Sequence, residues 1–404
     1  MIIIGGTYDE YCFEPRWEQK FGSGLRACWV SSRLAPSQKI TFYTFGDQHT
    51  KQYLDWISKE IDISPIIEEI PKSIQFQYDY PLATPSIFPR LDTLEIQNNK
   101  ISVEGDNILF YGMLEGSATV KGKRVVYDPQ SPANPIPFSQ TGSLADELAV
   151  VVNLGEASKI ANTNTDDLEG IKSFFFGKEK ASILILKMGP NGAILVTNET
   201  SDKHIPVYET ESVWPIGSGD VFAASFATHW FSGDSPLLAA RKASWNTAEY
   251  CNSKSFSFTE LESNEKIKPI TVKSNDRGTV YLAGPFFSFG ERWIIDQIYR
   301  LLSNMKFDVF SPWHHVGHGI ASEVVPLDLN GLDKSNIVFA VIDGLDPGTL
   351  FEIGYAIAKG LPVICYVEKE SDENLKMMEG SNCLLEGDLT TAIYKTIWEY
   401  TKHV

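Results

Sequence analysis

The sequence predicts an α/β protein of two domains. Short apolar runs of strand length alternate with helix-length amphipathic segments, and Gly- or Pro-bearing loops stand where a run gives way to a helix. A polar segment, Glu262–Gly278, with one Pro and no helical period, separates two blocks that each have this rhythm. The domains are therefore expected at 1–265 and 279–404, with 266–278 as linker. In the second block the strands are Thr279–Ala283, Phe307–Phe310, Ile337–Ile342 and Pro362–Val367. Its helices are Trp293–Leu302 and Leu350–Lys359, the latter stopped by Gly360. Such βα alternation describes a doubly wound parallel sheet, flavodoxin-like in kind. The first block opens with strand-like stretches (Met1–Ile4, Ile40–Phe45, Leu94–Ile96, Ile101–Val103). It then turns to buried parallel strands at Asn107–Tyr111, Arg124–Tyr127, Ala149–Asn153 and Ser182–Lys187, with helices at Asp220–Phe231 and Ser235–Cys251. That pattern is a larger α/β domain with β-rich decoration near its start.

Composition narrows the function. The 404 residues are 43% hydrophobic, ample for real cores, and carry a net charge of −17 from 52 acidic and 35 basic side chains. Such a surface repels phosphate backbones, so nucleic acid is not expected as a partner. No apolar run approaches a bilayer span, and Met1-Ile2-Ile3-Ile4-Gly5-Gly6 reads as a first strand without a basic leader. Five scattered cysteines (Cys12, Cys28, Cys251, Cys365, Cys383) lack metal-type spacing and read as reduced core thiols. The expectation is a cytoplasmic protein handling a small molecule, with no membrane association.

Residues 343–355 read Asp-Gly-Leu-Asp-Pro-Gly-Thr-Leu-Phe-Glu-Ile-Gly-Tyr, an apolar strand running through a Gly/Pro loop into a helix. In an open α/β sheet this junction lies at the carboxyl edge of the strands, where ligands bind. Carboxylates converging there suit a reaction that builds positive charge on a sugar, as in cleavage of a glycosidic bond. The same residues also spell a capping box, in which Thr349 caps the helix and Glu352 merely holds the Thr349 amide.

Three segments widen the view: Val280-Tyr281-Leu282-Ala283-Gly284-Pro285, Asp328-Leu329-Asn330-Gly331-Leu332, and Asp346 through Ala356, each expected at a strand-to-helix junction. Together they resemble the nucleoside 2-deoxyribosyltransferase family over residues 279 to 390. The resemblance implies Glu352 as nucleophile, Tyr281 beside it, and Asp328, Asp346 and Gly284 around the substrate. It implies no cofactor. A looser match places Asn382 at a neighbouring subunit's sugar site, and so implies a homo-oligomer.

In the first domain Gly217-Ser218-Gly219-Asp220 precedes an apolar helix, so that backbone amides and the helix dipole could hold an anion while Asp220 takes a proton. With Asp128-Pro129, Asn153-Leu154-Gly155-Glu156 and Lys187 through Gly192, this order resembles the ribokinase (phosphofructokinase-B type) family of sugar and nucleoside kinases. The resemblance implies ATP and Mg2+, with Asp220 as base. Asn153 and Glu156 would support magnesium, indirectly in the case of Glu156, and Gly217, Ser218 and Gly219 would hold the transferring phosphate. Asp9 is a further candidate for a ribose hydroxyl. The chain departs from the family at Trp214-Pro215-Ile216, where an Asp-Thr-type sequence is usual, and at Gly22-Ser23-Gly24-Leu25-Arg26-Ala27, where an asparagine is usual. These departures leave two readings of the domain, phosphoryl transfer and binding without chemistry.

His314, His315 and His318 lie close together, but one loop without an added Cys or carboxylate makes a poor metal site; histidines laid over the substrate pocket fit better. The leading expectation is a nucleoside- or nucleotide-metabolising enzyme that cleaves or exchanges an N-glycosidic bond, fused to a kinase-like domain. The alternative is a hydrolase depleting nucleotides or NAD, as in phage defence, regulated by a ligand-sensing first domain.

Overall fold

The computed structural model describes residues 1–94, 100–131, 134–198, 201–270 and 278–403. The chain divides into two units, Met1–Thr210 with Trp214–Thr271, and Glu211–Val213 with Val272–Val404.

A nine-stranded sheet organises the first unit. Its order is Lys203–Ile205, Ala193–Thr197, Ile183–Lys187, Leu144–Asn153, Ser117–Asp128, Lys100–Tyr111, Ile2–Ile4, Ile40–Gly46 and Ile63–Glu69. All neighbours are parallel except the two pairings at the Lys203–Ile205 edge. Strands such as Ile183–Lys187 are buried on both faces, which is why they read in sequence as unbroken apolar runs. The long strands Lys100–Tyr111 and Ser117–Asp128 run parallel although only residues 112–116 join them. Twelve residues of straight strand span about 40 Å, beyond the roughly 23 Å that so short a link can reach. Both strands must therefore bend. The pairing skips Asp106 opposite Lys123, and Asp146 in the same row, and Lys123 Nζ meets Asp106 at 2.7 Å there.

Helix Gly22–Leu34 packs on the first strand through glycine. A Cβ at Gly24 would stand 2.7 Å from the Gly5 carbonyl group, so strand end and helix approach more closely than any side chain permits. Helix Ser218–Phe231 is buried nearly all round, and Arg124 donates to its last carbonyls, Trp230 and Phe231, at 3.0 Å each. The expected β-rich decoration is a separate four-stranded sheet, ordered Trp17–Lys20, Asp9–Cys12, Gln75–Tyr78, Ser86–Phe88.

Two expectations are corrected. Leu94 lies outside any strand, and the rest of the expected Leu94–Ile96 strand falls outside the described residues. Within the segment read as linker, Lys268–Ile270 forms a strand pairing with Val207–Glu209. Three residues carry too little pattern to be told from loop.

The second unit is a five-stranded parallel sheet in the order Asp308–Phe310, Thr279–Ala283, Ile337–Val341, Val363–Tyr366, Leu384–Glu386. Numbered within the unit this is 2-1-3-4-5, the doubly wound flavodoxin-like order, with its switch point between Thr279–Ala283 and Ile337–Val341. Every residue of Ile337–Val341 is buried. Helix Phe289–Asn304 presents Ile295, Ile298 and Leu302 to the core, and Ser288 with Glu291 forms its capping box.

Candidate functional site

At the switch point of the second unit, Ile337–Val341 leads through Gly344 into helix Pro347–Ala358. Asp346 caps that helix: its Oδ2 accepts from the Thr349 amide at 2.8 Å and from the Thr349 hydroxyl at 2.9 Å. The cap is thus Asp346 and not Thr349, which overturns the capping-box reading of Glu352. Released from that duty, Glu352 Oε1 accepts a 2.6 Å hydrogen bond from the Tyr281 hydroxyl, on the neighbouring strand. Burial pushes the Glu352 carboxyl up to about 7; the Tyr281 bond draws it down, and the nearby Asp328 and Asp346 charges push it further up. Tyr281 is itself buried, and burial followed by the Glu352 charge raises its hydroxyl above the usual range.

Asp328 lies inside helix Ala321–Asp333 rather than at a strand-to-helix junction as expected. Its Oδ1 is buried with no hydrogen-bond partner among the described residues, and burial raises its carboxyl. The structure therefore brings Tyr281, Glu352, Asp328 and Asp346 into one electrostatic group. Gly284 ends the first strand, where a Cβ would stand 2.7 Å from Ile295 Cδ1. Asn382 is exposed at φ +62° beyond helix Asp372–Gly380, with its amide on the Glu379 carbonyl at 3.1 Å. Two of the three histidines depart from the expected loop: His314 and His315 lie in a short helix, Pro312–His315, and His318 lies in the irregular stretch after it. His314 Nε2 meets Asp296 at 3.0 Å, and His315 stacks on Phe310. A cavity of about 340 Å3 bordered by Phe310, His315, Asn330 and Lys334 has none of the four clustered residues in its wall.

In the first unit a cavity of about 290 Å3 is walled by Glu10, Arg26, Asp128, Asn153, Glu156, Lys187, Gly217, Gly219 and Asp220, with Tyr8, Phe76 and Tyr78. Most residues expected in this site do meet here. Gly217 adopts φ +78° as N-cap of helix Ser218–Phe231, a conformation that favours glycine. A Cβ there would also fall 2.2 Å from the Arg26 guanidinium. Asp220 Oδ2 pairs with Arg26 Nη1 at 2.5 Å, while Gln130 donates to Oδ1. The other arm of Arg26 pairs with Glu10, whose carboxyl is raised by burial against the opposing pull of Arg26. Lys187 Nζ pairs with the buried Asp128 at 2.6 Å.

Asn153 and Glu156 form a capping box on helix Leu154–Ala161, and Glu156 also accepts from the Ser131 amide at 3.3 Å. No group of three or more His, Cys, Asp or Glu side chains converges as an ion cage among the described residues. Asp9 is not in the cavity wall: it pairs with Lys20 at 2.7 Å, and its neighbour Glu10 points inward instead. Sequence reasoning missed Glu10, Arg26 and Gln130. Strand Asp9–Cys12 places Glu10 and Cys12 on one buried face, but its letters do not alternate apolar with polar, so the sequence held no signal for Glu10.

Residues 280–385 match the profile of nucleoside 2-deoxyribosyltransferases, and residues 117–260 match that of the pfkB family of carbohydrate kinases. Each part of the chain is thus similar to one enzyme family. Among solved structures, ribokinase from Thermotoga maritima is 15% identical, over 63% of this chain and 93% of its own, with a TM-score of 0.45. Ribokinase from Giardia lamblia is 14% identical over 63% and 93%, with a TM-score of 0.47. The aminoimidazole riboside kinase of Salmonella enterica is 14% identical over 63% and 94%, at 0.45. No curated protein matches the chain. Among the described residues no helix is long and apolar enough to cross a membrane.

Proposed function

We propose that the second unit cleaves or exchanges the N-glycosidic bond of a nucleoside or nucleotide, with Glu352 as nucleophile. The observation that carries this reading is the 2.6 Å bond from Tyr281 to a Glu352 freed from helix capping by Asp346. An ionised Glu352 oxygen attacks C1′ of the sugar, the bond from C1′ to the base nitrogen breaks, and its electron pair leaves with the base. Asp328, whose burial favours its protonated form, gives that base a proton. A second base, or water, then gives its proton to Asp328 and attacks C1′ from the face opposite Glu352, breaking the ester bond and freeing the Glu352 carboxylate, so the anomeric configuration is retained overall. Tyr281 holds the nucleophilic carboxylate in register between the two steps.

For the first unit, the matched family implies ATP- and Mg2+-dependent phosphorylation of a sugar or nucleoside with Asp220 as base. One observation favours the alternative, a ligand-sensing unit without chemistry: Asp220 is already paired with Arg26. Asn382 and a homo-oligomer remain part of the proposal, and light scattering on the full chain tests the oligomer. The activity is tested by incubating the chain with deoxynucleosides, ribonucleosides, nucleoside monophosphates and NAD, with and without an acceptor base. The expected result is base release or exchange from at least one of them. Absence of turnover across the panel would remove the reading.

A further inference from the structure

The charged side chains that line the cavity of the first unit are more acidic than basic. Glu10, Asp128, Glu156 and Asp220 face it, against two cations, Arg26 and Lys187. Both cations are spent within the protein. Arg26 is 1% exposed, lies against Gly217 and divides its fork between Glu10 and Asp220. Lys187 is committed to Asp128. One acceptor is left over, because Asp128 is fully buried and its Oδ1 has no partner among the described residues. These carboxylates favour a ligand that donates hydrogen bonds and carries little negative charge. Tyr8, with its ring centroid 5.2 Å from that of Phe76, and Tyr78 add aromatic surface to the same wall.

A general base must be free to receive the proton of the attacking hydroxyl. In this cavity both oxygens of Asp220 are occupied, Oδ2 by the Arg26 guanidinium at 2.5 Å and Oδ1 by Gln130. Freeing Oδ2 for a substrate hydroxyl would take from the buried Arg26 guanidinium one of its two carboxylate partners, an unfavourable exchange inside a protein. Arg26 comes from helix Gly22–Leu34, 194 residues away in sequence, so the pairing is a product of the fold and not of local chain geometry.

We propose that the first-unit cavity binds a neutral nucleoside through its hydroxyls and base without phosphorylating it, because Arg26 holds Asp220. This rests on the ligand-sensing reading of the first unit and is independent of the glycosyl chemistry assigned to Glu352.

The test uses the full-length chain carrying Glu352→Ala, so that nucleosides are not consumed. Adenosine, guanosine, cytidine, uridine and ribose are titrated with calorimetric and thermal-unfolding readouts, and transfer from radiolabelled ATP with Mg2+ is followed in the same samples. The expected result is saturable nucleoside binding, weakened at least tenfold by Asp128→Ala, with label transfer at background. Transfer above background that is lost on Asp220→Asn would overturn the proposal, as would no saturable binding across the panel. The double variant Glu10→Gln/Arg26→Asn removes the guanidinium together with one of its carboxylates. In a folded, ligand-binding double variant the bound hydroxyl attacks the γ-phosphorus, Asp220 takes its proton and ADP leaves, so label transfer rises at least tenfold over background. If that variant binds and still does not transfer, Arg26 is not the cause. Base exchange by the unsubstituted chain, assayed in parallel, reports the second unit separately, so failure of either assignment is recognised alone.

Discussion

Asp220 and Glu352 each stand near the start of a helix that follows a glycine-bearing loop, and each lies partly out of solvent. Their partners differ. Asp220 meets a buried guanidinium, whereas Glu352 accepts from a neutral phenol and lies within the field of two further carboxylates. A cation fixes the charge of a carboxylate and opposes its taking a proton. A phenol orients a carboxylate without neutralising it, and acidic neighbours with burial raise its affinity for a proton. Similar positions in two α/β units therefore hold their carboxylates in different surroundings, which sequence motifs alone do not distinguish.

The largest effect that would sharpen this contrast is at the second site. Glu352→Ala should lower glycosyl exchange by on the order of 10^3-fold or more in steady-state kcat, as for loss of a covalent nucleophile. Asp220→Asn should leave that rate unaltered. At the first site, Arg26→Met strands Glu10 and Asp220 as buried uncompensated carboxylates and should cost about 3–5 kcal/mol in denaturant unfolding of the first unit. Adding Glu10→Gln and Asp220→Asn should recover much of that loss. An Arg26→Met chain as stable as the parent would break the comparison.

Next in size, Tyr281→Phe removes a hydrogen bond to a charged acceptor and should slow exchange by about ten- to a hundredfold, the equivalent of about 1.5–3 kcal/mol. The pH profile gives a finer signature. With Glu352 required ionised and Asp328 required protonated, kcat/KM should follow a bell, one limb near 7 set by the Glu352 carboxyl and the other by the Asp328 proton. The Tyr281 bond lowers the Glu352 value, so Tyr281→Phe should move that limb to higher pH. A limb that stays in place would show that Tyr281 does not act on Glu352. The smallest effect is Asp346→Ala, which loses the helix cap and about 1 kcal/mol of stability by thermal unfolding.

Much of the architecture was legible because parallel strands buried on both faces appear as apolar runs. Thr279–Ala283 was read at its observed bounds, and Ile337–Val341 to within one residue. Strands of three residues, such as Lys268–Ile270, carry no period and escaped. The letters around Glu352 fit a capping box as well as the family motif, and only the Asp346 cap and a contact 71 residues away in sequence show that Glu352 is not a capping residue. Arg26 was beyond local reading. Its position was noted for lacking an asparagine, but nothing nearby in sequence reveals that its guanidinium meets Asp220.

The most direct measurement of the central claim is intact-protein and peptide mass spectrometry after incubation with a 2′-deoxy-2′-fluoro nucleoside, whose electron-withdrawing fluorine slows breakdown of a glycosyl ester. A sugar adduct on the peptide carrying Glu352, absent from Glu352→Ala, is the predicted result. Base release by the chain with no adduct at Glu352, undiminished in Glu352→Ala, would contradict it.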